Sequence, residues 1–318
     1  MGVNRKRKKE ILDEFISYKN SLGYSYVTHE AYLRRYMVYE ESQNPDGLMS
    51  KNCVTEYLSS LSGSPGSLYG TVNVLREFSK YLSAHGYQDV YMIPPKTVKL
   101  PTPAPPYFFN SEEVERFFTA VDSIKPHPNY KGRELIVPAI FRLLYCCGIR
   151  CKEARDLKSS NVCLDNKYID ILQSKGPKSR RIFIGNELAE YLNAYDCKIA
   201  ILYPERKYFF PAYHKDKQLG PCSIIGNFHR FWDKAFPGFS AETYPRAYDF
   251  RHHLAWANIN KWATNGLDVN AMLPYLMRYM GHQSVKQTLY YFHFVPEFFQ
   301  TYSEIAQISD DIIPEVPL

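Results

Sequence analysis

The amino-acid sequence predicts a mainly α-helical protein of two domains, with a small β-hairpin or sheet in the second domain. Its 318 residues are typical of two domains, and 45% of them are apolar, which is enough for a buried core in each. In most segments the apolar residues recur every three or four positions, the period of an α-helix. Two short β-rich runs, residues 168–172 and 181–184, flank a Lys-Gly-Pro-Lys turn at residues 175–178 and indicate a hairpin.

Four helical patterns predict an all-helical N-terminal domain over residues 1–92. Each pattern is a stripe of apolar residues that would lie on one face of a helix. The stripes are Ile11, Phe15, Tyr18 and Leu22; Tyr32, Tyr36 and Tyr39, after Thr28 as the N-cap; Val54, Tyr57, Leu58 and Leu61; and Leu68, Val72, Leu75, Phe78 and Leu82, before Gly86 as the helix stop.

The start of this domain is strongly basic. Residues 5–9 are Arg-Lys-Arg-Lys-Lys, which is either a contact for the backbone of a nucleic acid or a solvated, frayed tail. Asp13 and Glu14 follow too soon for a signal peptide, and no stretch of the sequence approaches a membrane-spanning length.

Residues 93–107 are expected to link the two domains. Six prolines lie between positions 94 and 106, together with Lys96 and Lys99. Such a segment cannot continue a helix and favours an extended, semi-rigid chain. The second domain therefore covers residues 108–318.

The second domain begins with Asn110 and Glu113, which have the spacing of a capping box at a helix N-terminus. The apolar run over residues 134–147 predicts a buried helix that ends near Gly148. Helical patterns resume after the hairpin, and the last one covers residues 296–308.

Composition narrows the class of protein. The formal net charge of +6 favours an anionic partner, although only weakly. Seven cysteines without a C-x-x-C pair indicate reduced thiols in a cytoplasmic protein, with Cys146 and Cys147 as buried small hydrophobic residues. There is no glycine-rich phosphate loop and no carboxylate cluster, so we expect no nucleotide hydrolysis, no metal and no cofactor.

Four residues that are far apart in the sequence each lie in a string that suits phosphodiester chemistry. They are Arg150 in Gly-Ile-Arg-Cys-Lys-Glu-Ala, Arg251 in Tyr-Asp-Phe-Arg-His-His, His282 after a glycine, and Tyr291 in Tyr-Tyr-Phe-His. Two arginines can clamp one phosphate through forked, charge-assisted hydrogen bonds. A tyrosine downstream can attack that phosphate and hold it covalently.

Each string also has an ordinary structural explanation. Arg150 could simply pair with Glu153, which lies three residues further on. Arg251 lies among apolar residues that indicate burial, and the adjacent Asp249 could be its anionic partner. His282 could cap a helix. The order and spacing of the whole set carry more weight than any one part.

The complete set resembles the active site of the tyrosine recombinases, the phage integrase family, whose pattern is Arg, Lys, His/Lys-x-x-Arg, Gly-His and then Tyr. The resemblance covers most of the chain and implies a helical, SAM-like core-binding domain before an α+β catalytic domain. It implies a site-specific recombinase that cuts and rejoins double-stranded DNA through a 3′-phosphotyrosine intermediate. It also implies self-association to a tetramer on DNA through the C-terminal helix, which could equally pack within its own chain.

Carried over to this sequence, the resemblance gives each residue a role. Arg150 and Arg251 would bind the oxygens of the scissile phosphate, and Tyr291 would attack its phosphorus. Lys175 would protonate the leaving 5′-oxygen, with Lys178 as a rival, unless both lysines only touch phosphates. His282 would hydrogen-bond the phosphate, and Glu153 would orient Arg150.

One position departs from the family pattern, since Tyr248 stands where the family usually has histidine. A phenol is a poorer proton acceptor at neutral pH than an imidazole, so Tyr248 is expected to position the phosphate. His252 and His253 are then candidates for the general base. Tyr290 is the nearest rival to the nucleophile.

Several readings of the function stay open at this point. The chain could be a relative that binds DNA with impaired catalysis, or a type IB-like topoisomerase or telomere resolvase. As a recombinase it could integrate or excise a mobile element or resolve chromosome dimers in the manner of Xer proteins. The target DNA and the residues that read its bases do not follow from the sequence.

Overall fold

The computed structural model describes residues 5–100, 102, 104–172, 179–212, 217–282 and 284–291. The chain divides into two compact units, Met1–Pro103 and Ala104–Leu318. Each unit has its own hydrophobic core, and each is described here by itself.

The N-terminal unit contains four helices: α1 (Arg5–Ser21), α2 (Val27–Gln43), α3 (Lys51–Ser60) and α4 (Pro65–Ala84). They enclose a core that includes Phe15, Tyr36, Leu75 and Phe78, none of which is exposed. The four predicted helices therefore form, and α4 ends two residues before Gly86, which has the left-handed φ of +80°.

Two details of these helices differ from the prediction. The buried face of α1 includes Leu12 and Ile16, whereas Tyr18 and Leu22 are 47% and 54% exposed. An α-helix has 3.6 residues per turn, so residues spaced by exactly three or four positions do not stay on one face. The last two residues of the predicted stripe therefore point away from the core. Thr28 is not the N-cap of α2, because the helix begins at Val27 and the cap position is Tyr26, which makes no side-chain cap bond.

The basic N-terminal cluster is helical rather than frayed. Helix α1 begins at Arg5. The side chain of Lys8 is buried, and its Nζ donates a hydrogen bond of 2.8 Å to the backbone carbonyl of Asn44. Lys8 therefore secures the end of α2 and is a poor candidate for contact with nucleic acid.

The described part of the C-terminal unit contains eight α-helices and a short antiparallel sheet. The helices are α5 (Ser111–Asp122), α6 (Arg133–Cys147), α7 (Cys151–Asp156), α8 (Asn186–Leu202), α9 (Ser223–Ala235), α10 (Asp249–Thr264), α11 (Val269–Met280) and α12 (Val285–Leu289). The sheet has the order β1-β2-β3, with β1 (Val162–Cys163), β2 (Tyr168–Ile171) and β3 (Arg180–Phe183).

The predicted hairpin is formed by β2 and β3, in which Ile169 faces Ile182 across the ladder. Both isoleucines are buried, so this face of the sheet packs on the core. Strand β1 is too short to leave a sequence signal. The tip of the hairpin, residues 173–178, lies outside the described residues.

In the C-terminal unit two predicted signals at helix ends agree with the structure. Asn110 and Glu113 form a complete capping box at the start of α5. Helix α6 ends at Gly148, which has a φ of +56°, and a Cβ there would lie 2.6 Å from a methyl carbon of Leu254. Any other residue would be strained at this φ and would require the Leu254 side chain to move.

One expectation for α6 was wrong. Cys147 is buried as expected, but Cys146 is exposed. The two are neighbours in the sequence and so point about 100° apart around the helix, which takes Cys146 off the core face.

Aromatic side chains fix the start of α10 in this core. Phe250 is 1% exposed, and its ring centroid lies 5.5 Å from those of both Phe117 and Phe228. Packing of this kind holds the next residue, Arg251, at a defined depth in the molecule.

Candidate active site

The C-terminal end of α11 is surrounded by three arginines. Helix α11 ends at Gly281, whose φ of +65° is left-handed. The last three backbone carbonyls, at residues 279–281, each accept a hydrogen bond from one guanidinium. The bonds run from Arg180 Nε to the Tyr279 oxygen (2.8 Å), from Arg251 Nη2 to the Met280 oxygen, and from Arg150 Nη2 to the Gly281 oxygen (3.0 Å). Carbonyls at a helix C-terminus lack partners within the helix and carry partial negative charge, so cations stabilise them.

Arg150 is also tied to Glu153, as its spacing predicts. Its Nη1 donates to Glu153 Oε1 at 2.7 Å, and its backbone N–H donates to Oε2 at 2.8 Å. Arg150 is the residue that precedes α7, so the carboxylate caps the helix and holds the arginine at once. The side chain of Glu153 is 6% exposed, whereas that of Arg150 is 22% exposed.

Arg180 belongs to this cluster, although it is not among the site residues predicted from the sequence. Its Nη1 and Nη2 donate to the two oxygens of Glu153 at 3.0 and 2.7 Å. Its side chain is 7% exposed. One signal could have found it, because alternation along β3 places Arg180 on the same face as the buried Ile182.

Arg251 is the most deeply buried arginine of the set, with 1% of its surface exposed. Its Nη1 donates to the carbonyl of Gly148 at 2.7 Å, and within the described part of the chain its Nε has no hydrogen-bond partner. Burial lowers the pKa of the guanidinium, and the charge of Arg150 lowers it further. An anion placed here would relieve both effects.

Asp249 could have been the anionic partner of Arg251, but the structure pairs it with Arg246. Its carboxylate accepts hydrogen bonds from the backbone N–H and the guanidinium of Arg246, at 2.7 to 3.0 Å. The buried carboxylate two residues before Arg251 is therefore already paired with Arg246.

Tyr291 lies beside the arginines and is 3% exposed. Its hydroxyl is 2.9 Å from Nδ1 of His252, and its ring is stacked on that of His282 at 6.3 Å between centroids. Burial raises the pKa of the Tyr291 phenol, and Arg251 opposes this rise. A phenol in this position needs both a proton acceptor and nearby positive charge before it can react.

Both site histidines are neutral at pH 7. Burial lowers the pKa of His252 to about 4 and that of His282 to about 3, and Arg251 and Arg150 add to the effect at His282. His282 shares a hydrogen bond of 2.8 Å with the hydroxyl of Thr288 through Nδ1. Among the described residues no hydrogen bond to its other ring nitrogen is found, and that nitrogen can bond a ligand.

The structure shows which of the neighbouring residues His252, His253 and Tyr248 contacts Tyr291. His252 contacts the Tyr291 hydroxyl, whereas the His253 ring lies near Phe109 and Tyr145 at about 6 Å. Tyr248 is 42% exposed, and the edge of its ring meets the His252 ring at 4.9 Å between centroids.

Tyr290, the rival to Tyr291, is 38% exposed. Lys175, its rival Lys178 and the helix predicted over residues 296–308 lie outside the described residues.

Within the described ranges, no group of three or more His, Cys, Asp or Glu side chains could hold a metal ion. No helix in those ranges is long and apolar enough to cross a membrane.

Residues 108–297 match the phage integrase family, and the chain belongs to that family. The match covers the whole of the site described above. It includes the hairpin that carries Lys175 and the segment that carries Tyr291.

Two curated relatives span nearly the whole chain. The integrase/recombinase y4rE of Sinorhizobium fredii is 25% identical over 289 residues, which are 89% of this chain and 90% of that protein. The tyrosine recombinase XerA of Thermococcus onnurineus is 24% identical over 315 residues, which are 96% of this chain and 98% of that protein.

Solved structures show the same fold. The XerH site-specific recombinase, bound to a palindromic difH substrate in a post-cleavage complex, is similar with a TM-score of 0.62 at 19% identity, over 87% of this chain and 80% of that one. The Tn1549 transposon integrase in complex with transposon right end DNA is similar with a TM-score of 0.61 at 14% identity, over 97% of this chain and all of that one. The mainly helical fold with a small sheet is thereby confirmed.

Proposed function

We propose that this protein is a site-specific DNA recombinase that cuts and rejoins strands through a 3′-phosphotyrosine intermediate. The observation that carries the proposal is the meeting of a buried nucleophile, Tyr291, its hydrogen-bond partner His252, and two arginines around one helix end. Membership of the phage integrase family and the names of the relatives support it.

Arg150 and Arg251 bind the non-bridging oxygens of the scissile phosphate. Arg251 offers a buried Nε–H that has no partner among the described residues, and Arg150 is the more exposed of the two. The guanidinium groups of Arg150, Arg180 and Arg251 outnumber the one carboxylate of Glu153. The surplus positive charge suits a phosphodiester that gains negative charge in a pentacovalent transition state.

His252 accepts the proton of Tyr291 in this proposal, and Tyr248 positions the phosphate. The Tyr291 oxygen forms a bond to phosphorus, the bond from phosphorus to the 5′-oxygen breaks, and the phenol proton moves to Nδ1 of His252. The low pKa of His252 describes the site without DNA, and the negative charge of a bound phosphate favours the protonated imidazole.

The remaining roles complete the reaction. Lys175, or its neighbour Lys178, donates a proton to the leaving 5′-oxygen. His282 donates a hydrogen bond to the phosphate through the ring nitrogen that Thr288 does not use. Rejoining reverses these steps and requires neither a nucleotide nor a metal ion, because the phosphotyrosine bond conserves the energy of the cleaved linkage.

The two units divide the work of DNA binding. The helical domain over residues 1–92 and the catalytic domain over residues 108–318 would grip duplex DNA, joined by the linker over residues 93–107. Lambda integrase has been solved as a dimer on a core site and as a tetramer on a Holliday junction, which supports a tetramer here. We propose that the segment over residues 296–308 contacts the neighbouring protomer.

The test is covalent capture of DNA. Nicked duplexes that carry the sequences flanking the gene are incubated with the full chain in excess chelator. We expect a denaturant-resistant adduct with the wild type and with Tyr290→Phe, and none with Tyr291→Phe. An adduct that survives in Tyr291→Phe, or that requires magnesium, contradicts the mechanism. DNA binding without any adduct supports the catalytically impaired relative instead.

Relaxation of supercoiled plasmid separates the other alternative. A recombinase joins two copies of its own site, whereas a topoisomerase relaxes plasmids that lack the site. Efficient relaxation without the flanking sequences would favour the topoisomerase.

A further inference from the structure

We infer that Arg180 is a positioning residue for strand cleavage: it holds Arg150 and the Gly281–His282 turn in place through the Glu153 carboxylate and the Tyr279 carbonyl. The inference rests on the proposed function, and it adds to it a residue outside the set that the family resemblance supplied. It identifies β3 as a part of the active-site framework.

The Glu153 carboxylate is shared between two arginines. Oε1 accepts from Arg150 Nη1 at 2.7 Å and from Arg180 Nη1 at 3.0 Å. Oε2 accepts from the Arg150 backbone N–H at 2.8 Å and from Arg180 Nη2 at 2.7 Å. Arg180 makes a forked, two-point contact, which fixes the plane of the carboxylate. That plane in turn fixes where Arg150 Nη1 can bond.

Arg180 also fixes the turn that presents His282. Its Nε donates to the Tyr279 carbonyl at 2.8 Å, one turn of backbone before the histidine. A Cβ on Gly281 would lie 2.9 Å from Arg180 Nη1, so the guanidinium packs directly on this turn. One side chain therefore links β3, α7 and the end of α11, which together carry Arg150 and His282.

The side chain is placed to position other groups and not to bind DNA. It is 7% exposed, and its three nitrogens all donate to the protein. Arg251 differs from Arg180 because its Nε has no partner among the described residues, and Arg150 differs because its side chain is 22% exposed, so both can bind a phosphate. Loss of Arg180 would remove a forked contact from Glu153 and a donor from the Tyr279 carbonyl.

The next residue on the strand provides a matched control. Arg181 points to the opposite face of β3, is 49% exposed, and makes a forked ion pair with Asp170 at 2.8 and 2.9 Å. Arg180→Ala and Arg181→Ala therefore remove the same side chain and one forked carboxylate contact from adjacent positions. Only the first one touches the site.

The experiment is single-turnover cleavage of a nicked duplex by the full chain at saturating DNA. We expect Arg180→Ala to cleave about 100-fold more slowly, because a displacement of about 1 Å in a catalytic group costs about that much. Its DNA affinity should stay within about threefold of the wild type, since it loses no phosphate contact. Arg181→Ala should cleave within about twofold of the wild type.

Coupling to Arg150 distinguishes positioning from general damage to the fold. Because Arg180 acts partly through Arg150, Arg180→Ala should slow the Arg150→Ala variant by much less than the about 100-fold by which it slows the wild type. Fold-losses that multiply would overturn the inference, and so would equal rates for Arg180→Ala and Arg181→Ala. Should Arg180→Ala fail to fold, Arg180→Lys keeps the cation but not the fork, and it is measured in the same double-variant comparison.

A second readout does not depend on activity. Nitrogen-15 NMR of the arginine side chains should show restricted rotation of the Arg150 guanidinium in the wild type and in Arg181→Ala, and faster rotation in Arg180→Ala. Unchanged rotation in Arg180→Ala overturns the inference. If the wild type forms no adduct while the rotation changes as expected, the proposed function fails and the positioning role of Arg180 stands.

Discussion

Glu40 in the N-terminal unit and Glu153 in the C-terminal unit are both buried glutamates, and they are held in different ways. Glu40 is completely buried and accepts hydrogen bonds from the Tyr36 hydroxyl at 2.9 Å and from the backbone N–H of Met49. Within the described residues its Oε2 has no partner. Glu153 accepts four hydrogen bonds from two arginines.

The two glutamates differ in how far their neighbours balance the negative charge of the carboxylate. Burial raises the pKa of Glu40, and its neutral donors and the nearby Lys8 only partly oppose that effect. Glu153 faces two guanidinium groups, which together more than balance its negative charge. A net positive charge therefore remains next to Arg251 in the site. The charge of Glu40 is thus poorly compensated and weakens its unit when the carboxyl ionises, whereas the carboxylate of Glu153 organises a phosphate site.

The largest effect is expected from Arg150→Ala, which removes the guanidinium that bonds Glu153 and the Gly281 carbonyl. The loss of a major donor to the transition state should cost about 3 kcal/mol in the cleavage rate. Because many other contacts hold the DNA backbone, affinity should change little. Single-turnover cleavage and equilibrium binding, measured on the same duplex, check both parts. An affinity that collapses while the rate at saturating DNA is unchanged would make Arg150 a binding residue only.

A smaller effect is expected from His252→Gln. The glutamine can still hydrogen-bond Tyr291 but cannot take its proton, so cleavage should slow by about 100-fold, the size typical of lost acid–base catalysis. The neighbouring Tyr248→Phe is the control, since it removes a hydroxyl and keeps the ring that contacts His252. It should slow cleavage only a few-fold. The reverse order of the two rates would make Tyr248 the proton acceptor.

Much of this arrangement could be predicted from the sequence. Apolar periodicity predicted the helices, two β-rich runs predicted the hairpin, and the strings around Arg150, Arg251 and Tyr291 selected residues that lie close together in the structure. Each of these features depends on a short stretch of sequence, so it can be recognised without knowing which elements meet in the fold. Glycine marked two helix ends for the same reason, because only a left-handed residue fits there.

Other features depend on which elements meet in three dimensions. Arg180 lies in an ordinary strand, and its role follows from contacts with α7 and α11, which no local pattern encodes. The burial of Lys8 depends in the same way on the end of α2. Two adjacent histidines look equivalent in the sequence, and only the packing of α10 turns His252 towards Tyr291.

Glu40→Gln provides the smallest effect on catalysis and the clearest effect on stability. A carboxyl whose pKa is raised in the folded state stabilises the fold fully below its unfolded pKa, and that contribution is lost as pH rises through the folded pKa. The wild type should therefore lose stability as pH rises from about 4 towards neutrality, relative to Glu40→Gln, whose side chain has no charge to bury.

Urea denaturation of both forms at a series of pH values from 4 to 8 measures the difference, and cleavage rates at pH 7 should agree within about twofold. Glutamine keeps an oxygen that can accept from Tyr36 and Met49, so the loss of hydrogen bonds should be small. A stability difference that does not vary with pH would mean that the pKa of Glu40 is the same in the folded and the unfolded state. A large loss of cleavage in this variant would show that the two carboxylates are coupled and that the division between them is wrong.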